Sequence, residues 1–238
     1  MKPINLSSEL LSDFQGEVKI VRSSRARHIR FTLEPFSPLQ ITIPAGANPK
    51  DVKEALNARS QWIQNARKKM QAYEKKVTNF KPGCSYKTMM HEIKIVQGKS
   101  LSFEEGFPTS IIRVPEKSVQ SAQVQIRKWI EKLLYEEAKN YLPQRTLELA
   151  DHHSFKTGKV SVRNNKSRWG SCSANNNISL NIHLMRLPSE LIDYVIMHEL
   201  CHIKIKNHSP RFWNELSKVL PDARKLDKRL NAFSTNCW

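Results

Sequence analysis

His198-Glu199-Leu200-Cys201-His202 carries the chemistry most legible in this chain. It matches the H-E-x-x-H zinc signature, and the spacing gives the reason. Two histidines four residues apart lie on one face of a helix, one turn above each other, so both imidazoles can bind one metal ion. Glu199 follows the first of them and can reach a water beside the ion without binding the ion itself. A divalent metal lowers the pKa of such a water to about 7, and a neighbouring carboxylate can take its proton and pass it on.

A catalytic zinc needs a third protein ligand and an open position. His208 extends the pattern to H-E-x-x-H-x-x-x-x-x-H, and Glu215 is its rival. For His208 to swing back, the chain must turn after Lys206. Asn207 suits that turn because Asn tolerates the left-handed conformation at a helix end. Ser209-Pro210 then reads as N-cap and first residue of another helix. Metzincins share the histidine spacing but place Gly midway, where this chain has Ile205, so the helix is expected to run longer. Cys201 points away from the His198/His202 face and reads as a small core residue.

These groups need elements to hold them. Leu191-Ile192-Asp193-Tyr194-Val195-Ile196-Met197 is apolar on nearly all faces, which predicts a buried helix opened by Pro188-Ser189, with Ser189 as N-cap. Upstream, Val160–Arg163 and Ile178–Leu184 alternate as strands. Between them runs a segment rich in hydrogen-bond donors, including Arg168, Trp169 and Ser171, followed by a polar turn. A hairpin leading into the histidine helix is a plausible wall of a cleft. The same segment also reads as a solvated hairpin with Trp169 plugging the core.

Ser167 to Ser173 (SRWGSCS), then ISLN, LMRLP and IDYVIMHELCHIKIKNHSPRFW together resemble the YgjP-like metal-dependent hydrolases, a zincin group described as metallopeptidase-like and more distantly related to SprT-like proteases. Val21 to Leu33 and Gln61 to Lys69 resemble that family too. The resemblance implies that His198, His202 and His208 bind the metal and that Glu199 is the catalytic carboxylate. It also implies a zincin-like catalytic domain, and it places Arg168, Trp169 and Ser171 in the matching hairpin motif. Peptide hydrolysis is the activity it implies first. Some relatives are associated with cleavage of UTP to UMP and pyrophosphate, so a nucleotide pyrophosphohydrolase using the same metal is the alternative.

The rest of the chain sets bounds. Its 238 residues carry 39 Lys and Arg against 22 Asp and Glu, a net charge of +17. The excess is spread, with 19 basic and 10 acidic residues in 1–115 and 20 and 12 in 116–238. Such a field attracts polyanions, so a third reading is a nucleic-acid-binding module with a structural metal; an intact Glu199 argues against it. Arg22, Arg25, Arg27 and Arg30 form the densest cluster, suited either to phosphate or to blunting a strand edge. There is no G-x-x-x-x-G-K-[ST] loop, so phosphate would have to be held by side chains. Cys84, Cys172, Cys201 and Cys237 form no C-x-x-C pair, which suits a reducing cytosol. Met1 to Glu9 shows no secretion segment, and no run is long and apolar enough to span a membrane. A cytoplasmic protein is the expectation.

The expected class is α+β: a β-rich part over 1–115 with one helix at about 50–75, then a catalytic domain over 116–238 with its hairpin packed on the H-E-x-x-H helix. Val18–Arg22, His28–Leu33 and Leu39–Ile43 alternate as strands, and Asn48-Pro49 opens the helix. Tyr86–Gln97 and Ser110–Val114 are further strands. A second long helix follows Pro115, and Pro143 is expected to end or kink it. His91-Glu92 reads as strand surface and His152-His153 as a loop. The metal expected is one Zn2+, with Mn2+ or Co2+ as substitutes. Arg168, Arg211 or a hairpin amide would stabilise developing charge on a peptide or nucleotide substrate.

Overall fold

The computed structural model describes residues 18–75, 77–235 and 238. Met1 to Glu9 and Cys237 lie outside them. The described residues form five α-helices and ten strands in three small sheets, an α+β protein. The chain divides into two compact units at residues 79 and 80.

The first unit holds β1 (Val18–Ser23), β2 (Arg30–Thr32), β3 (Leu39–Pro44) and α1 (Pro49–Glu74). Although β1 and β2 are consecutive, β3 lies between them, parallel to β1 and antiparallel to β2. Alternation buries Leu39, Ile41 and Ile43 on one face of β3. Val52, Leu56 and Ile63 recur at helical spacing on α1 and close the same core. The helix start is built into the sequence. The Asn48 side chain accepts from the Asp51 amide at 3.0 Å, and the Asp51 carboxylate accepts from the Asn48 amide at 2.9 Å. With Pro49 in the first helical position, this is a reciprocal capping box.

The second unit opens with β4 (Ser85–Lys87), β5 (Glu92–Gln97), β6 (Ser102–Glu104) and β7 (Thr109–Val114), in the order β4-β5-β7-β6 with β5 parallel to β7. Their buried residues Ile93, Ile95, Ile112 and Val114 share one core with Ile126, Ile130 and Leu134 of α2 (Val119–His152). The division therefore falls before this sheet, where the sequence reading placed it at 115/116. Alternation shows that a strand buries one face, but not which layer covers that face.

The helix α2 runs through Pro143 to His152. A proline in a helix interior costs about 3 kcal/mol. Here Leu142, Thr146 and Ala150 bury the same stretch, and that packing holds the turn together. The His152-His153 pair accordingly sits at the helix end and not in a loop.

Next come β8 (Val160–Arg163), β9 (Gly170–Cys172) and β10 (Ile178–Asn181), in the order β8-β10-β9. The hairpin is β9–β10, and β8 lies parallel to β10 on its far side. The strand expected over 178–184 stops at Asn181. That side chain accepts from the His183 amide at 3.1 Å and starts a 3-10 turn over Ile182–Arg186. Three helices follow: α3 (Ser189–Cys201), α4 (Pro210–Val219) and α5 (Ala223–Leu230). Pro188 occupies the cap position of α3, and Ser189 is its first residue, without a side-chain cap. No helix among the described residues is long and apolar enough to cross a membrane.

Candidate metal centre and active site

The helix α3 is buried around most of its circumference, with Leu191, Ile192, Tyr194, Ile196 and Leu200 all inside. It places His198 and His202 one above the other at its C-terminal end. The longer helix expected from Ile205 does not form. The helix ends at Cys201, and the turn that follows brings the Ile205 carbonyl within 2.9 Å of His202 Nδ1. That contact fixes the proton on Nδ1 and leaves the Nε2 lone pair outward, the tautomer a metal requires.

The turn that returns His208 differs from the expected one. Asn207 is not among the described residues with positive φ. Its side chain instead accepts from the Ser209 amide at 3.2 Å, an Asx turn. Ser209 then occupies the cap position of α4, without a side-chain cap, and Pro210 is in the first turn. The fully buried ring of Phe212 lies against His198, His202 and His208, with centroids at 4.8, 4.6 and 5.0 Å. One aromatic side chain from α4 thus supports all three imidazoles.

The three Nε2 atoms converge. His198 and His208 are 2.9 Å apart, His202 and His198 3.2 Å, and His202 and His208 3.1 Å. Zinc–nitrogen bonds of about 2.0–2.1 Å at tetrahedral angles put ligand nitrogens about 3.3 Å apart. The donor set therefore fits a small divalent cation. Burial pushes His198 down to about 3, with its histidine neighbours adding to the shift, and lowers His202 too. Both rings stay neutral at pH 7, as ligands must be. Behind His198 stands Tyr194, its hydroxyl 3.5 Å from Nδ1 and donating to Asp227 of α5 at 2.8 Å.

Glu199 is buried, with 6% of its surface exposed. Burial pushes its carboxyl up to about 7, against the opposing pull of Arg168. Gly170 of the hairpin lies close beside it. A Cβ there would come within 2.7 Å of Glu199 Oε1, so with any other residue at that position the Glu199 side chain or β9 would have to shift.

The cleft around these groups encloses about 430 Å³ and is lined by Arg168, Trp169, Ser171 and Lys206 among others. Asn181, fully buried, donates to the carbonyls of Asn165 and Arg168 at 2.7 and 2.8 Å and so ties the donor-rich loop to the sheet. As the outer strand of its sheet, β9 has one free edge. The bonds Asn181 to Trp169 and Ser173 to Asn177 fix the alternation. Trp169, Ser171 and Ser173 therefore face β10, while the N–H and C=O groups of Gly170 and Cys172 face outward.

Other sequence candidates fall elsewhere. Arg211 is exposed on the first turn of α4 and does not line the cleft. Glu215 is held by Lys204 and Lys218, each at 2.9 Å, and is not part of the histidine cluster. Cys201 is buried and outside that cluster. His91 is no strand-surface residue: its Nδ1 is 2.6 Å from the buried Glu137, to which the Thr88 hydroxyl also donates. Gly170, Asn181, Tyr194, Phe212 and Asp227 were not singled out from the sequence. Only Gly170 left a local signal, as an isolated glycine in an alternating segment.

Comparison with known proteins gives three findings. The family model described as YgjP-like, metallopeptidase domain, matches residues 27–233. No curated protein matches the chain. Among solved structures, the metallopeptidase zymogen abylysin of Pyrococcus abyssi is similar at 27% identity over 38% of this chain and 92% of its own, with a TM-score of 0.34. Jannalysin of Methanocaldococcus jannaschii, also a metallopeptidase zymogen, is similar at 24% identity over 37% and 92%, with the same TM-score of 0.34. At that score neither likeness informs the chemistry of this chain.

Proposed function

Because this chain belongs to the YgjP-like metallopeptidase family, and is thus a metal-dependent hydrolase, we propose that it cleaves peptide bonds with one zinc ion on His198, His202 and His208 and with Glu199 as proton carrier. The observation that carries this reading is the convergence of three imidazole nitrogens beside a buried carboxyl group. Zinc bound there would polarise a scissile carbonyl and make an adjacent water acidic enough to lose its proton near neutral pH.

The chain's own residues supply the rest. Glu199, with its carboxyl raised to about 7 by burial, is poised both to take a proton from water and to return it to the leaving amine. A peptide lying along β9 as an added strand would pair with the outward groups of Gly170 and Cys172. Arg168, on the loop that Asn181 ties down, would stabilise negative charge developing on the substrate. Trp169 and Ser171 line the same cleft and would meet substrate side chains. Phe212 would position all three histidines from behind, and Tyr194 and Asp227, which also line the cleft, would support His198. Three imidazoles favour zinc over manganese, with cobalt as a working substitute. The described cysteines Cys84, Cys172 and Cys201 are all free, which suits a reducing compartment such as the cytoplasm.

One paired assay tests the proposal. Zinc-loaded protein is offered a mixed peptide library and, separately, each nucleoside triphosphate, beside a Glu199→Gln variant of equal zinc content. The expected result is peptide cleavage that falls by about 10³ in the variant. Pyrophosphate release that depends on Glu199, with peptides left intact, would replace this reading with the nucleotide hydrolase.

A further inference from the structure

The first unit carries a concave site that peptide hydrolysis leaves unused. Around the edge strand β2, residues of the 23–31 segment together with Thr42, Arg59 and Trp62 enclose about 740 Å³. Arg25, Arg27, Arg30 and Arg59 line it with His28, and among the described residues no Asp or Glu does. Among the described residues, none of these four guanidinium groups has an ion-pair partner. Arginines of the second unit behave differently: Arg113, Arg145 and Arg229 are each within 2.7 Å of a carboxylate. An unneutralised cluster in a concavity keeps its field for an anion from outside.

The lining has a second property. Trp62 is 44% exposed and is the only tryptophan among the exposed large apolar side chains of the described residues. It follows Arg59 by three positions on α1, so the indole and the guanidinium share a side of the helix. Blunting the edge of β2 would explain charge on Arg30, but not cations from three separate elements or an open indole among them. Every cation in the lining that is charged at all pH values of interest is arginine, whose planar fork matches phosphate oxygens. Among the described residues the lining contains no glycine and no residue of positive φ, so it offers no left-handed turn to build a nest of backbone amides for the condensed phosphates of a free nucleotide. Cations spread over loop, strand and helix suit phosphates spaced along a chain.

We propose that this pocket binds single-stranded nucleic acid, with the phosphates held by Arg25, Arg27, Arg30 and Arg59 and a base stacked on Trp62. The shared recognition chemistry, a phosphate beside an aromatic base, also occurs in free nucleotides, and the test separates the two sources. The proposal does not rest on the peptidase reading.

Fluorescein-labelled oligothymidylate and oligouridylate of about 12 nucleotides are titrated with the full chain, and anisotropy is followed over a range of salt. Thermal unfolding checks that each variant is folded. The Arg25→Ala/Arg27→Ala variant is expected to bind at least about tenfold more weakly, with its salt slope reduced by about 1.4, or about 0.7 for each phosphate no longer neutralised. Trp62→Ala is expected to lose about tenfold, and Trp62→Phe, which keeps a ring, to retain binding. Lys68→Ala/Lys69→Ala removes the same charge from exposed positions of α1 outside the pocket and should change affinity less than about twofold. Equal weakening by the two double variants would reduce the effect to net charge and overturn the proposal. Displacement of the oligomers by oligoglutamate, or by a nucleoside triphosphate at equal phosphate concentration, would overturn it as well.

Discussion

Two histidine–glutamate clusters in the second unit contrast in how their charges are settled. At Glu137 the carboxylate is 1% exposed and is met by His91 at 2.6 Å and by the Thr88 hydroxyl. Glu199 is almost as deeply placed, yet it opens onto a cleft, its carboxyl makes no hydrogen bond with any described residue, and Gly170 beside it offers no side chain. Its histidine neighbours turn their Nε2 atoms towards one another. A buried carboxyl group held by two hydrogen-bonding side chains is a structural brace. One that makes no hydrogen bond and opens onto a cleft can exchange a proton with whatever enters it, the role proposed for Glu199.

The contrast can be broken experimentally. The largest effect is expected at the brace. His91→Ala would leave Glu137, whose Oε2 already has no hydrogen-bond partner, with only the Thr88 hydroxyl, and should destabilise the fold by about 3 kcal/mol in urea unfolding. Peptide cleavage per folded molecule should persist. A loss below about 1 kcal/mol would mean that the pair is not a brace. Next in size is Gly170→Ala, which forces a Cβ to within 2.7 Å of Glu199 and should lower kcat about 100-fold with bound metal unchanged. Retained turnover would show that Glu199 need not hold its position against β9. The smallest effect sharpens the picture of the support behind the ligands. Tyr194→Phe removes the hydroxyl between His198 and Asp227 and should weaken zinc binding about tenfold in competition with a chelator.

The legible part of the site was the part whose geometry is local. Residues four apart on a helix must share a face, so the approach of His198 to His202 follows from spacing alone. The return of His208 was legible from Asn207 and Ser209-Pro210, although the turn uses the Asn207 side chain and not a left-handed backbone. The capped start of α1 was legible for the same reason. What escaped depends on contacts between elements distant in sequence. Gly170 matters only because β9 approaches α3, Phe212 only because α4 folds back under the imidazoles, and Asp227 only because α5 reaches Tyr194. The placement of β4–β7 with the second unit and the passage of α2 through Pro143 are likewise decisions of the core, which outweigh local alternation and local breakers.

An open sheet edge beside a reactive carboxyl carries a hazard of its own, since unpaired backbone groups invite any extended chain, including a second copy of the same molecule. Here the exposed rung is only Gly170–Cys172. At one end Lys206 grips the hairpin turn through the Ser173 carbonyl at 2.9 Å and the Asn176 side chain at 3.1 Å, planting a positive charge there. A ledge of three residues with a cationic post at its end can admit a short guest strand but gives a growing fibril too little length to register on, so the feature that would receive a substrate also guards the protein against self-association.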